Sequence, residues 1–289
     1  MTDYCLYHAN CLDGITAAAA VHLSMSDSLV YIPVSYQEDP PFLDEDELDT
    51  IYIVDFSYKR DVLLKLAEKA KAIIILDHHK SAQEDLRDIS QDAVNIECVF
   101  DMERSGARLA WDYFHGDTDA PWIIKNVEDR DLWRFNFSDT RAITAALYTY
   151  DFDLPYWTQW FGYKVAPEWL MTEGEALLCK QNKDVKGIIN TIVRRTIIDG
   201  HDVPIVNALW MYSSDLLNEL CKDEPFAVCY WDTPSGRTFS LRSNKEGLDV
   251  SKIATKYGGG GHARAAGFKL KLGHLSVDTL AQIALNQRK

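Results

Sequence analysis

The strongest constraint on the fold is a series of short apolar runs, several of which stop at an acid or a histidine. Tyr4–His8 (YCLYH), Leu29–Val34 (LVYIPV), Ile51–Asp55 (IYIVD), Ala72–Leu76 (AIIIL) and Asn95–Phe100 (NIECVF) each have the length and apolar character of a strand. Helical patterns lie between them: the alanine-rich Gly14–Ser24, the amphipathic Lys59–Lys71, and Ser105–Phe114 after the last strand. Strands this apolar, alternating with helices, predict a parallel sheet covered on both faces. Ile73–Ser81 (IIILDHHKS) then raises the functional question, because an aspartate and two histidines follow a buried strand without a break.

The pattern changes after about Phe137. Ser138–Tyr150 reads as a capped helix, an aromatic stretch (Leu154–Tyr163) follows, and Glu168 to about Ile198 reads as one long connecting helix carrying the basic pair Arg194–Arg195. Beyond it, Ile205–Met211, Phe226–Trp231 and Thr238–Ser243 predict strands, with a helix over Ser214–Cys221. The expected organisation is an α/β chain in three parts: a parallel-sheet domain over 1–160, a helical linker over 161–199 and a smaller α/β domain over 200–289.

With 47% of its 289 residues hydrophobic and 26% charged, the chain has the composition of an ordinary globular protein. No apolar run reaches the roughly 18–20 residues of a membrane span. MTDYCLYHANC lacks the basic start and long apolar core of a secretory signal, so the expected compartment is the cytoplasm. Six cysteines without a CxxC pair argue against a zinc ribbon and a disulfide framework. The net charge of −14 argues against a protein that grips long nucleic acid by neutralising many phosphates. A phosphate-bearing ligand should be small, and held where metals or a few arginines reverse the sign locally.

In a parallel sheet, ligands bind beyond the carboxyl ends of the strands. His8 and Asp13 follow the first strand, Asp55 ends the third, and Asp77, His78 and His79 follow the fourth; Asp129 and Asp131 come later, in NVEDRDLW. One aspartate at a strand end is ordinarily a helix cap or a turn former. Several acids at one edge make a cleft that must take up protons or cations. The histidines favour divalent metals, and mixed Asp/His ligation suits Mn²⁺ or a related ion better than Ca²⁺.

These segments resemble the DHH phosphoesterase superfamily. ILDHHKS is similar to its motif III, VDFS to its motif II and HANCLDGITAAAA to a variant of its motif I. MERSGARLAWDYF followed by EDRDLW resembles the segment that carries the last acidic ligand. Tyr257–Phe268 (YGGGGHARAAGF) resembles the glycine-rich signature of the accessory DHHA1 domain, and the wording is nearest to the nano-RNase or cyclic-nucleotide phosphodiesterase subgroup. The resemblance implies a parallel-sheet DHH domain, a long connecting helix and a smaller DHHA1-like α/β domain. It also implies a two-metal phosphodiesterase acting on short oligonucleotides or small cyclic nucleotides, with Mn²⁺ as the first choice of ion and Mg²⁺ or Co²⁺ as alternatives.

Carried onto this chain, the implied metal ligands are His8, Asp13, Asp55, His78 and Asp129, with Asp55 bridging the two ions. His79 would face the substrate, with Asp77 supporting a histidine from behind. Arg242, Ser243, Gly259, Gly260, Gly261, His262 and Arg264 would hold the nucleotide. One departure stands out: many members of the family have an aspartate where this chain has Cys11, so Asn10 and Cys11 are further candidate ligands. The alternative readings are a phosphomonoesterase or pyrophosphatase acting on a small nucleotide ester, and a nucleotide-binding module whose catalysis has lapsed. The expected partner is a small nucleotide, neither a long duplex nor a membrane, and a homodimer is left open.

Overall fold

The computed structural model describes residues 2–35, 38–41 and 47–271. They form two compact units, which divide between Lys183 and Asp184. In the first, strands β1 (Asp3–His8), β2 (Leu29–Val34), β3 (Leu48–Val54), β4 (Ala70–Asp77) and β5 (Ile96–Phe100) make one sheet in the order β2-β1-β3-β4-β5. Every pairing in it is parallel. The helices of this unit are α1 (Leu12–Met25), α2 (Arg60–Ala67), α3 (Lys80–Asp85), α4 (Ile89–Asp92), α5 (Gly106–His115), α6 (Trp122–Asp131), α7 (Thr140–Leu147) and α8 (Leu154–Trp157).

The two-residue period of the strands divides the core into two layers. Cys5, Tyr7, Val54 and Leu76 face one layer with α1, α5 and α6, while Leu6, Ile51, Ile53, Ile73 and Ile75 face the other with α2. Helix α2 buries Leu63 and Leu66 completely and turns Lys65 outward. Full burial of such side chains contributes roughly 1.5–3 kcal/mol each. Helix α1 is buried on all sides from Leu12 to Val21, and Ala17–Ala20 keep it narrow enough to pack against α5.

The strand register places the site. Tyr7 pairs with Val54, and Val54 with Leu76. His8, Asp55 and Asp77, each one residue further on, therefore reach the carboxyl edge in one row. The order reverses between β1 and β3, which is the switch point where open parallel sheets bind ligands.

Helix α9 (Glu168–Ile192) is shorter than the expected run to Ile198. Arg194–Ile198 is strand β6, paired antiparallel with β7 (His201–Asn207). Its side chains continue an apolar spacing with no glycine or proline before Gly200, which is why the sequence reads on as helix. Arg195 pairs with Asp202 and Glu224 rather than with any phosphate. The aromatic stretch is largely core. Trp157 and Trp160 are buried, and the Trp157 indole donates to the Thr16 hydroxyl at 3.0 Å. Leu170, Met171 and Leu177 of α9 join the first core, whereas Val185, Ile188 and Ile189 join the second unit's core.

The second unit continues with α10 (Trp210–Leu220), β8 (Ala227–Thr233), β9 (Gly236–Arg242), α11 (Val250–Lys256), β10 (Gly260–His262) and β11 (Ala265–Leu270). Its sheet runs β10-β11-β9-β8-β7-β6, antiparallel except for the parallel pair β7 and β8. Leu209–Met211, expected as the end of a strand, leads into α10 instead. Among the described residues no helix is long and apolar enough to cross a membrane.

Candidate metal centre

Two turns bring the first unit's polar side chains together. After β1, Asn10 takes a left-handed conformation (φ 54°) and swings the chain into α1, which carries Asp13 in its first turn. Gly14 permits this, because a Cβ there would lie 2.2 Å from the His8 carbonyl oxygen. After β3, Asp55 is itself left-handed (φ 62°), a strained state for a non-glycine residue. Gly106 makes room for it, since a Cβ there would meet the Asp55 Cβ at 2.5 Å.

Asp55 is the hub. Its Oδ1 is 3.2 Å from His78 Nε2, and its Oδ2 is 3.3 Å from His8 Nδ1. His78 Nε2 also lies 3.6 Å from Asp13 Oδ2 and 3.6 Å from Asp131 Oδ2. Asp13, Asp55 and His78 are all buried, while the Asp131 side chain is 31% exposed. The Asp13 carboxylate accepts the Gly106 and Ala107 amides at 2.6 and 3.0 Å, so the start of α5 fixes its orientation. Two overlapping donor groups result, Asp13–Asp55–His78 and His8–Cys11–Asp55, each with its donor atoms within 4.8 Å of one another.

Asp77 has a different task. It is fully buried, and its Oδ1 accepts the His78 and His79 amides and the His79 Nδ1 proton, the last at 2.7 Å. The contact through Nδ1 fixes the ring orientation of the partly exposed His79.

The electrostatics are those of a site built for cations. Burial raises the Asp13 carboxyl, and the charges of Asp55 and Asp131 add to the shift against the pull of His78. Burial, then the charge of Asp55, raise Asp131 as well, opposed by His78. Burial works against the Asp55 charge too, but the hydrogen bond with His78 and the neighbouring His8 imidazole overcome it and hold this carboxylate below its usual range. Burial also opposes a charged His78. The hydrogen bond to Asp55 and the charges of Asp131, Asp13 and Asp55 outweigh it, and raise the imidazole from 6.5 to about 10. A proton on His78 thus takes the place a cation would fill. Asp55 Oδ2, buried and accepting no hydrogen bond, offers a second such place, and the mixed O/N donor set fits divalent metals.

A pH dependence follows. His78 is raised in the folded state, so in metal-free protein its stabilisation is complete below pH 6.5 and is lost as pH rises through about 10. The raised Asp13 acts in the same direction. Urea midpoints measured in chelator are expected to fall across that window, while Mn²⁺ affinity rises as the proton is displaced. A flat profile in both measurements would contradict the shared role of His78.

Asp129 does not join this cluster. Its carboxylate accepts the Asn136 and Phe137 amides (2.8 and 3.2 Å) and the Thr140 hydroxyl (2.6 Å), while its carbonyl accepts the Arg134 and Phe135 amides. The acid that reaches His78 from α6 is Asp131, two residues on. Sequence reasoning also missed what Asp129 holds in place. Trp133 and Phe135 are both left-handed (φ 55° and 51°) and meet edge to face at 4.9 Å. Arg130 lies over the Trp133 ring at 4.1 Å, and Arg141 over the Phe135 ring at 3.6 Å. The interleaved RDLWRF is the one signal that pointed to this cationic and aromatic wall beside Asp131.

In the second unit, some expected substrate contacts are used by the fold. The Ser243 hydroxyl donates to the Leu248 carbonyl at 2.6 Å. The Arg264 guanidinium donates to the carbonyls of Gly247 and Lys245. Arg242 contacts Ser214 and Ser240. The Gly259 amide donates to Ala254, whereas Gly260, Gly261 and His262 form the edge strand β10 of a hairpin with β11.

The DHHA1 domain model matches residues 206–284. Protein R106 of Acanthamoeba polyphaga mimivirus is 31% identical over 291 residues, which cover 92% of this chain and 66% of the viral protein. Oligoribonuclease NrnB of Bacillus subtilis is 44% identical over 75 residues, 25% of this chain and 18% of that enzyme. The chain thus spans just under two thirds of the viral protein's length. The crystal structure of CDC45 from Entamoeba histolytica has a similar fold, with a TM-score of 0.50 at 10% identity over 99% of this chain and 95% of the other. The domain match, the similarity to NrnB and a parallel sheet whose edge presents Asp77-His78-His79 agree: residues 206–284 match a DHHA1 domain, and the chain is similar to phosphoesterases of the DHH/DHHA1 type.

Proposed function

We propose that the protein is a two-metal phosphodiesterase of short oligonucleotides or small cyclic dinucleotides, working in the cytoplasm with Mn²⁺ as its preferred ion. The observation that carries this reading is the convergence of Asp13, Asp55, His78 and Asp131 on one point, with His8 and Cys11 on the other side of Asp55. Asp13, His78 and Asp131 would hold one ion and His8 the other, with Asp55 shared between them. Two such ions would supply positive charge for the phosphate oxygens and a lowered pKa for water.

The protein's own groups do the rest. Asp77 fixes His79 through Nδ1, so that Nε2 can hold a proton at the leaving oxygen. The Asp13 clamp by the α5 amides keeps its carboxylate in place without a second conformer to freeze out. Arg130, Trp133, Phe135 and Arg141 supply positive charge and ring surface beside Asp131, in a chain that is otherwise strongly acidic. Arg242, Gly260, Gly261 and His262 are the second unit's candidates for nucleotide contact. The similarity to an oligoribonuclease supports short oligonucleotides as the first substrates to try.

The test is a hydrolysis panel of dinucleotides, longer RNA, cyclic mono- and dinucleotides and a simple phosphomonoester, each with Mn²⁺, Mg²⁺ or chelator. Dinucleotides or cyclic dinucleotides are expected to turn over fastest with Mn²⁺, and not at all with chelator. Preferential hydrolysis of the monoester would overturn the diesterase reading, and no turnover of any compound would overturn the enzymatic one.

A further inference from the structure

We propose that Cys11 is a thiolate ligand of the metal position it shares with His8 and Asp55, making this half of the centre selective for borderline and soft divalent ions such as Co²⁺, Zn²⁺ and Cd²⁺. The inference rests on the two-metal reading above and gives that centre two chemically different halves. The far half offers only carboxylate and imidazole from Asp13, Asp55, Asp131 and His78. The near half offers imidazole, carboxylate and sulfur, with His8 Nδ1, Cys11 Sγ and an Asp55 oxygen all within 4.8 Å of one another.

Two features favour the sulfur. A tetrahedral ion bound at about 2.3 Å to sulfur and about 2.0 Å to nitrogen holds its ligand atoms about 3.5 Å apart, so this set needs only a small contraction. Asp55 Oδ2, buried and accepting no hydrogen bond, faces His8 Nδ1 at 3.3 Å and leaves a lone pair for the same ion. Cys11 immediately precedes α1, and burial with the charges of Asp55, Asp13 and Asp131 pushes its thiol up, so an ion must displace the proton. Binding forms a sulfur–metal bond and releases the thiol proton to solvent. Soft donors then discriminate among ions that carboxylates alone would rank mainly by charge and size. An aspartate in this position would make the near half hard; cysteine makes it soft.

The test uses the full chain stripped of metal and titrated with Co²⁺, reading calorimetric binding and the near-ultraviolet thiolate-to-cobalt charge-transfer absorption. The band is expected in the wild type and in Cys179→Ser, whose cysteine is exposed on α9. It is expected to vanish in Cys11→Ser and Cys11→Asp. Competition should show the preference for Cd²⁺ over Mn²⁺ falling by about tenfold or more in Cys11→Asp. Cobalt binding without the band, or a band that survives Cys11→Ser, would overturn the thiolate ligand while leaving the two-metal reading intact. No cobalt binding at all would overturn both.

Discussion

Asp55→Asn and Asp55→Ala are expected to lose Mn²⁺-dependent hydrolysis by at least about a thousandfold while remaining folded. The two Asp55 oxygens face two different imidazoles, His78 at 3.2 Å and His8 at 3.3 Å. No other described carboxylate can replace it, because Asp13 is turned to the α5 amides and Asp131 approaches only the His78 side. Removing a bridging charge from a phosphate-neutralising pair forfeits roughly 4 kcal/mol or more of transition-state stabilisation, and each 1.36 kcal/mol is tenfold in rate. Asn keeps the side chain's size and one acceptor oxygen, so it separates the lost charge from lost packing. The checks are turnover at saturating dinucleotide and metal stoichiometry by calorimetry, which should fall from two ions to at most one. Near-normal turnover with either variant would remove the two-metal mechanism.

The strained backbone at Asp55 belongs to the same account. A left-handed aspartate costs of order 1–3 kcal/mol, and such cost persists only where the surroundings enforce it. Here the Asp55 amide donates to the Leu76 carbonyl at 3.0 Å, and the missing Gly106 side chain leaves space for the Asp55 Cβ. The turn therefore aims a carboxylate into the cluster instead of letting it lie along the strand.

Most of this edge was legible in the sequence. Parallel strands must end at a common edge, so the chain positions of His8, Asp55, Asp77 and His78 already implied their proximity once the apolar runs were taken as strands. Three things were not legible. Arg194–Ile198 continues the helix's apolar spacing, and only pairing with His201–Asn207 makes it a strand. Ser243 and Arg264 have the residue types of phosphate contacts, but whether a side chain spends itself on nearby carbonyls depends on which turn folds against it. The choice between Asp129 and Asp131 was the third, since a motif fixes a segment more firmly than it fixes which of two acids points where.

That choice can be tested directly. Asp131→Asn is expected to reduce Mn²⁺-dependent turnover by two to three orders of magnitude with little change in stability, since the side chain is 31% exposed and its described contact is with His78. Asp129→Asn is expected to do the reverse. Two residues apart on a helix turns a side chain by about 200°, so the two acids leave α6 on opposite faces. Asp129 accepts two amides and a hydroxyl through its carboxylate, and an amide side chain keeps one acceptor oxygen but presents a donor where the other stood. An unsatisfied buried amide costs about 1–3 kcal/mol, so Asp129→Asn should lower the urea midpoint while Mn²⁺ stoichiometry stays at the wild-type value. Its catalytic effect should be smaller and confined to KM, because what loosens is the Trp133–Phe135 turn and the arginines stacked on it. Equal loss of kcat in the two variants, with a metal lost from Asp129→Asn, would return Asp129 to the metal centre and make the contact of Asp131 with His78 incidental.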